Sequence, residues 1–187
     1  WVDAWRRDAE GNALRDERGQ RIALPFDERT PKAIVYHMSP NFPEPLRSYA
    51  AQVAEGWDRS FRRAVAAAQT GTVDGWESVT PMFVLCDNPI TEAPVFPESG
   101  APAGVCGTAG EPVRIGDLRY NVLWWVADPQ AAGPLGYGPS GPDPETGEVL
   151  SGTAYVYGAS IDTYAQWATD VIRFANGDLT PEDVQDA

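Results

Sequence analysis

Apolar positions along this chain fall at strand spacing in four stretches and at helical spacing in two, in the order strand, helix, strand, strand, strand, helix. "KAIVYHM", Lys32 to Met38, is short and rich in β-branched residues, and Ser39-Pro40-Asn41 ends it, so it reads as a buried strand. The next stretch runs "PEPLRSYAAQVAEGWDRSFRRAVAAAQTG". In it Leu46, Tyr49, Ala50, Val53, Trp57, Phe61, Ala64, Val65 and Ala68 recur at steps of three and four, with Pro45 near the first turn and Gly71 past the end. The pattern predicts a long helix that buries Trp57 on its apolar face and leaves Arg47, Arg59, Arg62 and Arg63 in solvent. "PMFVLC" (81–86) and "LRYNVLWWVA" (118–127) read as two further strands, the second apolar on both sides.

A fourth strand, "SGTAYVYG" (151–158), alternates Thr153, Tyr155 and Tyr157 with Ala154 and Val156, as an edge or half-covered strand would. The last helix takes Ser160 as its cap and Tyr164, Trp167, Ala168, Val171, Ile172 and Phe174 as its apolar face, and Asn176-Gly177 stops it. Thr180-Pro181-Glu182-Asp183 then carries the signals that open another helix, with Ala187 soon after. No internal repeat stands out. Residues 1–30 form a charged entry segment with turns at Glu10-Gly11-Asn12 and Arg18-Gly19, hairpin-like and packed through Trp1, Trp5 and Phe26, and 31–187 read as a single α/β domain, incomplete at its C-terminus.

Charge narrows the partners. With 14 basic and 27 acidic residues the net charge is -13, and such a field repels nucleic-acid backbones and anionic membrane surfaces. The longest apolar run, near Val122 to Ala127, is too short to span a bilayer. Lys32 is the one lysine among the 14 basic residues, a bias that, with the Ala and Pro content, points to a high-GC bacterial gene.

Little conventional chemistry is on offer. One histidine and two cysteines cannot make a zinc site of three or four ligands. Cys86 and Cys106 are either a disulfide or two separate buried thiols; closing a loop of about 20 residues would stabilise the fold by roughly 3 kcal/mol, which favours the bridge. His37, at a strand end, reads as a packed structural residue, since metal binding and triads both need partners. Asp143, Glu145 and Glu148 offer oxygens that calcium accepts, but acids in a turn are usually only solvated. Gly136, Gly138 and Gly141 fall in the spacing G-x-G-x-x-G, yet Pro139, Pro142 and Pro144 follow, no Walker lysine is present, and the next element is a strand. A phosphate cradle needs a helix there, so the stretch reads instead as a shaped connection that delivers an edge strand.

Two motifs carry a family resemblance: Arg119-Tyr120-Asn121 with Trp125-Val126, then Gly138-Pro139-Ser140, Asp143-Pro144 and Thr146-Gly147-Glu148. They resemble the pattern "RYN-x-I-x-W-V" followed by "GP-S-x-x-DP-x-TGEI-L" in a group of large bacterial secreted or lipoprotein-type metzincin-like zinc-dependent metalloproteases. The likeness runs from about Lys32 to Gly158, upstream of where such enzymes carry H-E-x-x-H. It implies an α/β (α+β) fold, a twisted mixed sheet of about four strands with the long helix packed on it and a C-terminal helix beyond, as in a metzincin-like N-terminal subdomain. It also implies an extracytoplasmic setting, zinc in the full-length protein, a peptide or protein substrate, and a remaining C-terminal part of the parent protein as partner. Thr153, Ala154, Tyr155, Val156 and Tyr157 would be the edge that pairs with substrate. No catalytic or metal-binding residue is expected within the chain itself, because the zinc motif is absent. Either the zinc half lies downstream, which the C-terminal helix signals favour, or a non-catalytic module for peptide or glycan remains.

Overall fold

In the computed structural model the described residues are 1–130, 134–145, 147–180 and 183. They form a mixed α/β protein with six strands and two helices. The chain divides into two compact units, Trp1–Val113 and Arg114–Ala187.

The first unit is built on a strand-helix-strand crossover. Strand β1 (Ile34–Met38) and strand β2 (Phe83–Cys86) run parallel, with His37 beside Cys86. Helix α1 (Arg47–Thr70) connects them; Pro45 lies in the short 3-10 turn before it, and Gly71, at φ 79°, ends it by donating its N–H to the Ala67 carbonyl at 2.9 Å. Met38, Val84, Leu85 and Cys86 form the centre of the core.

The helix buries only part of the face expected of it: Val65 is buried and Ala50, Phe61 and Ala68 are half-buried, as expected. Trp57 is 52% exposed, and Tyr49 and Val53 are exposed with it; the covered positions are Ala54, Asp58, Val65 and Ala66, about one residue round the helix. The cause is Asp58. Its Oδ1 accepts the N–H groups of Met82 at 2.6 Å and Phe83 at 3.1 Å, two donors at the start of β2, while Arg62 lies 3.4 Å from Oδ2. Burying a carboxylate is tolerable only where donors meet it, so this contact sets the roll of the helix. Trp57 turns outward and stacks on Phe61 at 5.6 Å, and Phe61 on Phe83 at 6.4 Å.

Beyond β2 the chain makes a long loop closed by the Cys86–Cys106 disulfide, with Cα atoms 5.8 Å apart. His37 is buried, and its Nε2 lies 2.8 Å from the Cys106 carbonyl oxygen, the structural role expected of it. Asn88 closes the loop's far end by pairing through its side chain with both backbone groups of Val113.

The entry segment holds a repeat that composition hides. Arg7-Asp8 to Gly11-Asn12 and Arg15-Asp16 to Gly19-Gln20 form the same turn eight residues apart. In each, the aspartate Oδ1 accepts two backbone N–H groups, from Glu10 and Asn12 or from Arg18 and Gln20, and the arginine Nη1 donates to the glycine carbonyl. Gly11 and Gly19 both take positive φ. Arg6, Leu14 and Ile22 are then linked by a closed ring of three backbone hydrogen bonds. Trp1 packs on Phe26, and the guanidinium of Arg29 lies 4.3 Å from the Phe26 ring centroid.

The second unit carries strands β3 (Asn121–Val126), β4 (Gly136–Tyr137), β5 (Ser140–Pro142) and β6 (Val149–Tyr157), then helix α2 (Gly158–Ala175). Strands β3 and β6 are parallel, Val122 beside Thr153 through Val126 beside Tyr157, and β4 and β5 are antiparallel to β6. The expected count of about four strands therefore rises to six, both additions lying in the glycine stretch. Helix α2 starts at Gly158 with no side-chain cap, so Ser160 lies inside its first turn instead of capping it. Its end is as expected: Gly177, at φ 80°, donates to Phe174, and Asp178 to Arg173. Its apolar face is not buried. Tyr164, Trp167, Val171, Ile172 and Phe174 are all exposed. Thr180 and Asp183 bond reciprocally as a capping pair, while Pro181, Glu182 and Ala187 lie outside the described residues. No described helix is long and apolar enough to cross a membrane.

Asp58→Ala, which strands two backbone donors and removes the ion pair to Arg62, is expected to destabilise the protein by about 3 kcal/mol in urea melts, whereas Trp57→Ala should cost under about 1.5 kcal/mol. The reverse order would show that Trp57, and not Asp58, faces the core.

Candidate functional site

Strand β6 has a partner on each side, so it is not an edge strand. Residues Thr153 to Tyr157, expected to pair with substrate, are bonded to β3 along one edge and covered along the other by the chain from Leu135 to Gly141. The Tyr157 N–H donates to the Leu135 carbonyl at 3.0 Å and the Thr153 N–H to the Pro139 carbonyl at 3.0 Å; Tyr137 lies opposite Tyr155 between them. Backbone groups in an antiparallel ribbon alternate toward and away from the partner. Leu135, Tyr137 and Pro139 thus turn theirs toward β6, which leaves those of Gly136, Gly138 and Ser140 facing outward. The border of this sheet is β4: among the described residues no strand pairs with its outer side.

The glycines serve close approach. A Cβ on Gly136 would stand 3.0 Å from the Tyr155 carbonyl oxygen. Proline closes the other end of the border, since Pro142 brings no N–H and the register shifts between Gly141 and Pro142.

The acidic residues of this stretch build a turn. The Asp143 N–H donates to the Glu148 carbonyl at 2.7 Å, the Gly147 N–H to the Asp143 carbonyl at 2.8 Å, and the Asp143 Oδ1 accepts the Glu145 N–H at 2.9 Å. Gly147, at φ 73°, supplies the left-handed corner. Thr146 lies outside the described residues. The calcium reading gains no support from this geometry: Asp143 is occupied with backbone, and among the described residues no three histidine, cysteine or acidic side chains gather as a metal set. The residues present do not fit zinc either, with His37 buried against Cys106 and both cysteines in a disulfide.

The first motif is bonded to β6, the strand that follows the second motif. Asn121, at the head of β3, accepts the Gly152 N–H at 2.7 Å. Just before it, Arg119 grips Asp117, Nη2 to Oδ2 at 2.7 Å, and its guanidinium lies 5.1 Å from the Tyr120 ring centroid. That grip, aided by the Arg119 N–H, lowers the Asp117 carboxyl from 3.8 to about 2.

Tyr137, Tyr155 and Tyr157 form a row of near-parallel rings, with centroids 6.5 and 6.4 Å apart. Tyr137 is the exposed end of the row. At the far end of β6, Gly158 lies so close to Trp125 that a Cβ there would fall 2.1 Å from the indole.

Of the residues that the sequence singles out, the structure gathers Gly138, Pro139, Ser140, Tyr155 and Tyr157 along this border, and it turns Asp143, Pro144, Gly147 and Glu148 into the corner that leads to it. Gly136 and Tyr137 were missed as border residues. Their signal was the run Gly136-Tyr137-Gly138, in which a side chain alternates with two positions that have none. No family model, curated protein or solved structure matches this chain.

Two outcomes test the site's construction. In a carboxyl NMR titration Asp117 is expected near 2, and Arg119→Met should return it toward 3.8. Because the folded value is the lower one, the pair's contribution is present above about pH 4 and fades as pH falls toward 2. Gly158→Ala should destabilise by about 1–3 kcal/mol through overpacking against Trp125, read as a lowered urea midpoint.

Proposed function

We propose that this chain supplies the sheet scaffold and the substrate-pairing border of an exported zinc-dependent metalloprotease, whose zinc ligands lie outside this sequence. The observation that carries the reading is the outward backbone of Gly136, Gly138 and Ser140, on an antiparallel border strand formed by the very stretch whose motif resembles that family. An extended peptide laid along that border exchanges main-chain hydrogen bonds with it, and Tyr137 gives it an aromatic ring to lie against. The pairing edge is thus reassigned from Thr153–Tyr157 to the strand that covers them.

The chain's own residues bind and orient in this scheme. None of them activates water, so the isolated chain is expected to be inactive.

A second reading has one observation behind it. The row Tyr137, Tyr155 and Tyr157 is a ready stacking surface, and it suits a non-catalytic module that binds a glycan or peptide.

The test is a pair of measurements. With zinc added, the chain should hydrolyse no peptide and hold no stoichiometric metal, while a protein extended in its own reading frame through an H-E-x-x-H motif should cleave peptides, and Gly136→Pro should lower that kcat/KM at least tenfold. A reading frame with no such motif, or robust turnover by the chain alone, overturns the proposal. Saturable glycan binding that is lost in Tyr137→Ala selects the second reading.

A further inference from the structure

The two faces of the border strand are unlike. Residues that stand opposite one another in a ladder share a face of the sheet, so Tyr137, Tyr155 and Trp124 make one row of side chains on the tyrosine face. On the other face the rows are Gly136, Val156, Trp125 and Gly138, Ala154, Leu123. Each of these two rows begins with a residue that has no side chain, and the apolar groups behind it stop one strand short of the border. Val156, Ala154 and Leu123 are only half-buried there.

That step has a definite depth. Neighbouring strands lie about 4.8 Å apart, so a strand laid on the border stands roughly 10 Å from the backbone of Val156 and Ala154. A short side chain on that strand would end over bare glycine backbone. A long flat one lies across the glycine, covers backbone that water otherwise reaches, and meets the aliphatic groups behind, which is how an aromatic neighbour compensates for a glycine at a sheet edge.

The hydrogen-bonding pattern puts such side chains in place. The outward groups belong to Gly136 and Gly138, so in an antiparallel pair the partner residue opposite each glycine exchanges two main-chain bonds with it and carries its side chain on the glycine face. The residue between them stands opposite Tyr137. We propose that Gly136 and Gly138 determine specificity at this border: it selects an extended peptide with aromatic side chains at two alternate positions, one laid over each glycine. The corner that bears Asp143, Glu145 and Glu148 follows Ser140 and Pro142, beside the N-terminal side of a peptide so placed, and a basic residue there complements it. The inference rests on the reading of this border as a peptide-pairing edge and adds its selectivity.

Amide NMR of the labelled chain tests it, with capped Lys-Thr-Phe-Thr-Phe-Thr and Lys-Thr-Ala-Thr-Ala-Thr each added to about 5 mM. The N–H signals of Gly136 and Gly138 should shift with both peptides, and the phenylalanine peptide should bind roughly tenfold tighter. Gly138→Val fills one gap without crowding, since a Cβ there meets only the Thr153 carbonyl oxygen, at 3.9 Å. It should lower the affinity for the phenylalanine peptide about threefold and leave that for the alanine peptide unchanged. Equal affinities with both glycine signals shifted overturn the inference and leave the border reading standing, as does a preference that persists undiminished in Gly138→Val. No shift at either glycine with either peptide overturns the border reading, and the inference with it.

Discussion

A β-strand has two edges, and the second unit of this protein is organised by the need to satisfy both edges of β6. Its nine residues expose backbone donors and acceptors on each side, and those buried without partners would cost about as much as lost hydrogen bonds. On one side β3 supplies them in parallel register. On the other the chain arriving from β3 lays down residues 135–141 antiparallel, turns at Asp143 to Glu148, and returns as β6 itself. The result is a hairpin whose first arm is short, glycine-rich and proline-punctuated, and it is this arm that becomes the border of the sheet.

That order of construction explains the composition of the stretch better than any ligand does. Gly136 leaves no room for a side chain, since a Cβ there would stand 3.0 Å from the Tyr155 carbonyl oxygen, Gly147 must take positive φ, and Pro142 stands where the ladder is to end. Of the carboxylates that invite a metal reading, that of Asp143 is committed to the corner. At the other end of β6, Gly158 performs a related service: strand passes into helix with no intervening loop because nothing but hydrogen separates that residue from the indole of Trp125.

Much of this was legible in the sequence. All four long strands, both helices and the glycine stops at Gly71 and Gly177 follow from local pattern, because period and punctuation are local properties. The disulfide and the structural role of His37 were also readable, from scarcity: two cysteines and one histidine leave few alternatives. What was not legible depends on contacts distant in sequence. Nothing local says that Asp58 meets the amides of Met82 and Phe83 across 24 residues, and so nothing local says that α1 is rolled to expose Trp57. The same holds for β6, whose alternating tyrosines look like an edge until the preceding loop is seen to cover it. The eight-residue repeat near the N-terminus was a different failure: its conserved elements are polar turn residues, which a search for apolar periodicity passes over.

In the proposed role the border would recognise through backbone, and this constrains what it could select. Main-chain pairing is blind to side-chain identity at alternate positions and is only weakly sensitive to salt, in contrast to recognition through surface charge. With a net charge of -13 the protein's long-range field disfavours anionic partners in any case. Selectivity would then come from the side chains that flank the open backbone, among them exposed Leu135 and Tyr137, the latter at the head of the tyrosine row. A partner that is extended, neutral or basic, and able to set a flat group against a ring satisfies all three constraints together. An extended peptide strand does so directly; a glycan satisfies the ring but leaves the outward N–H and C=O groups of the glycines to bond its hydroxyls one at a time, without the two-residue repeat that a strand brings. Within the proposed role, the spacing of the border therefore favours a peptide over a sugar.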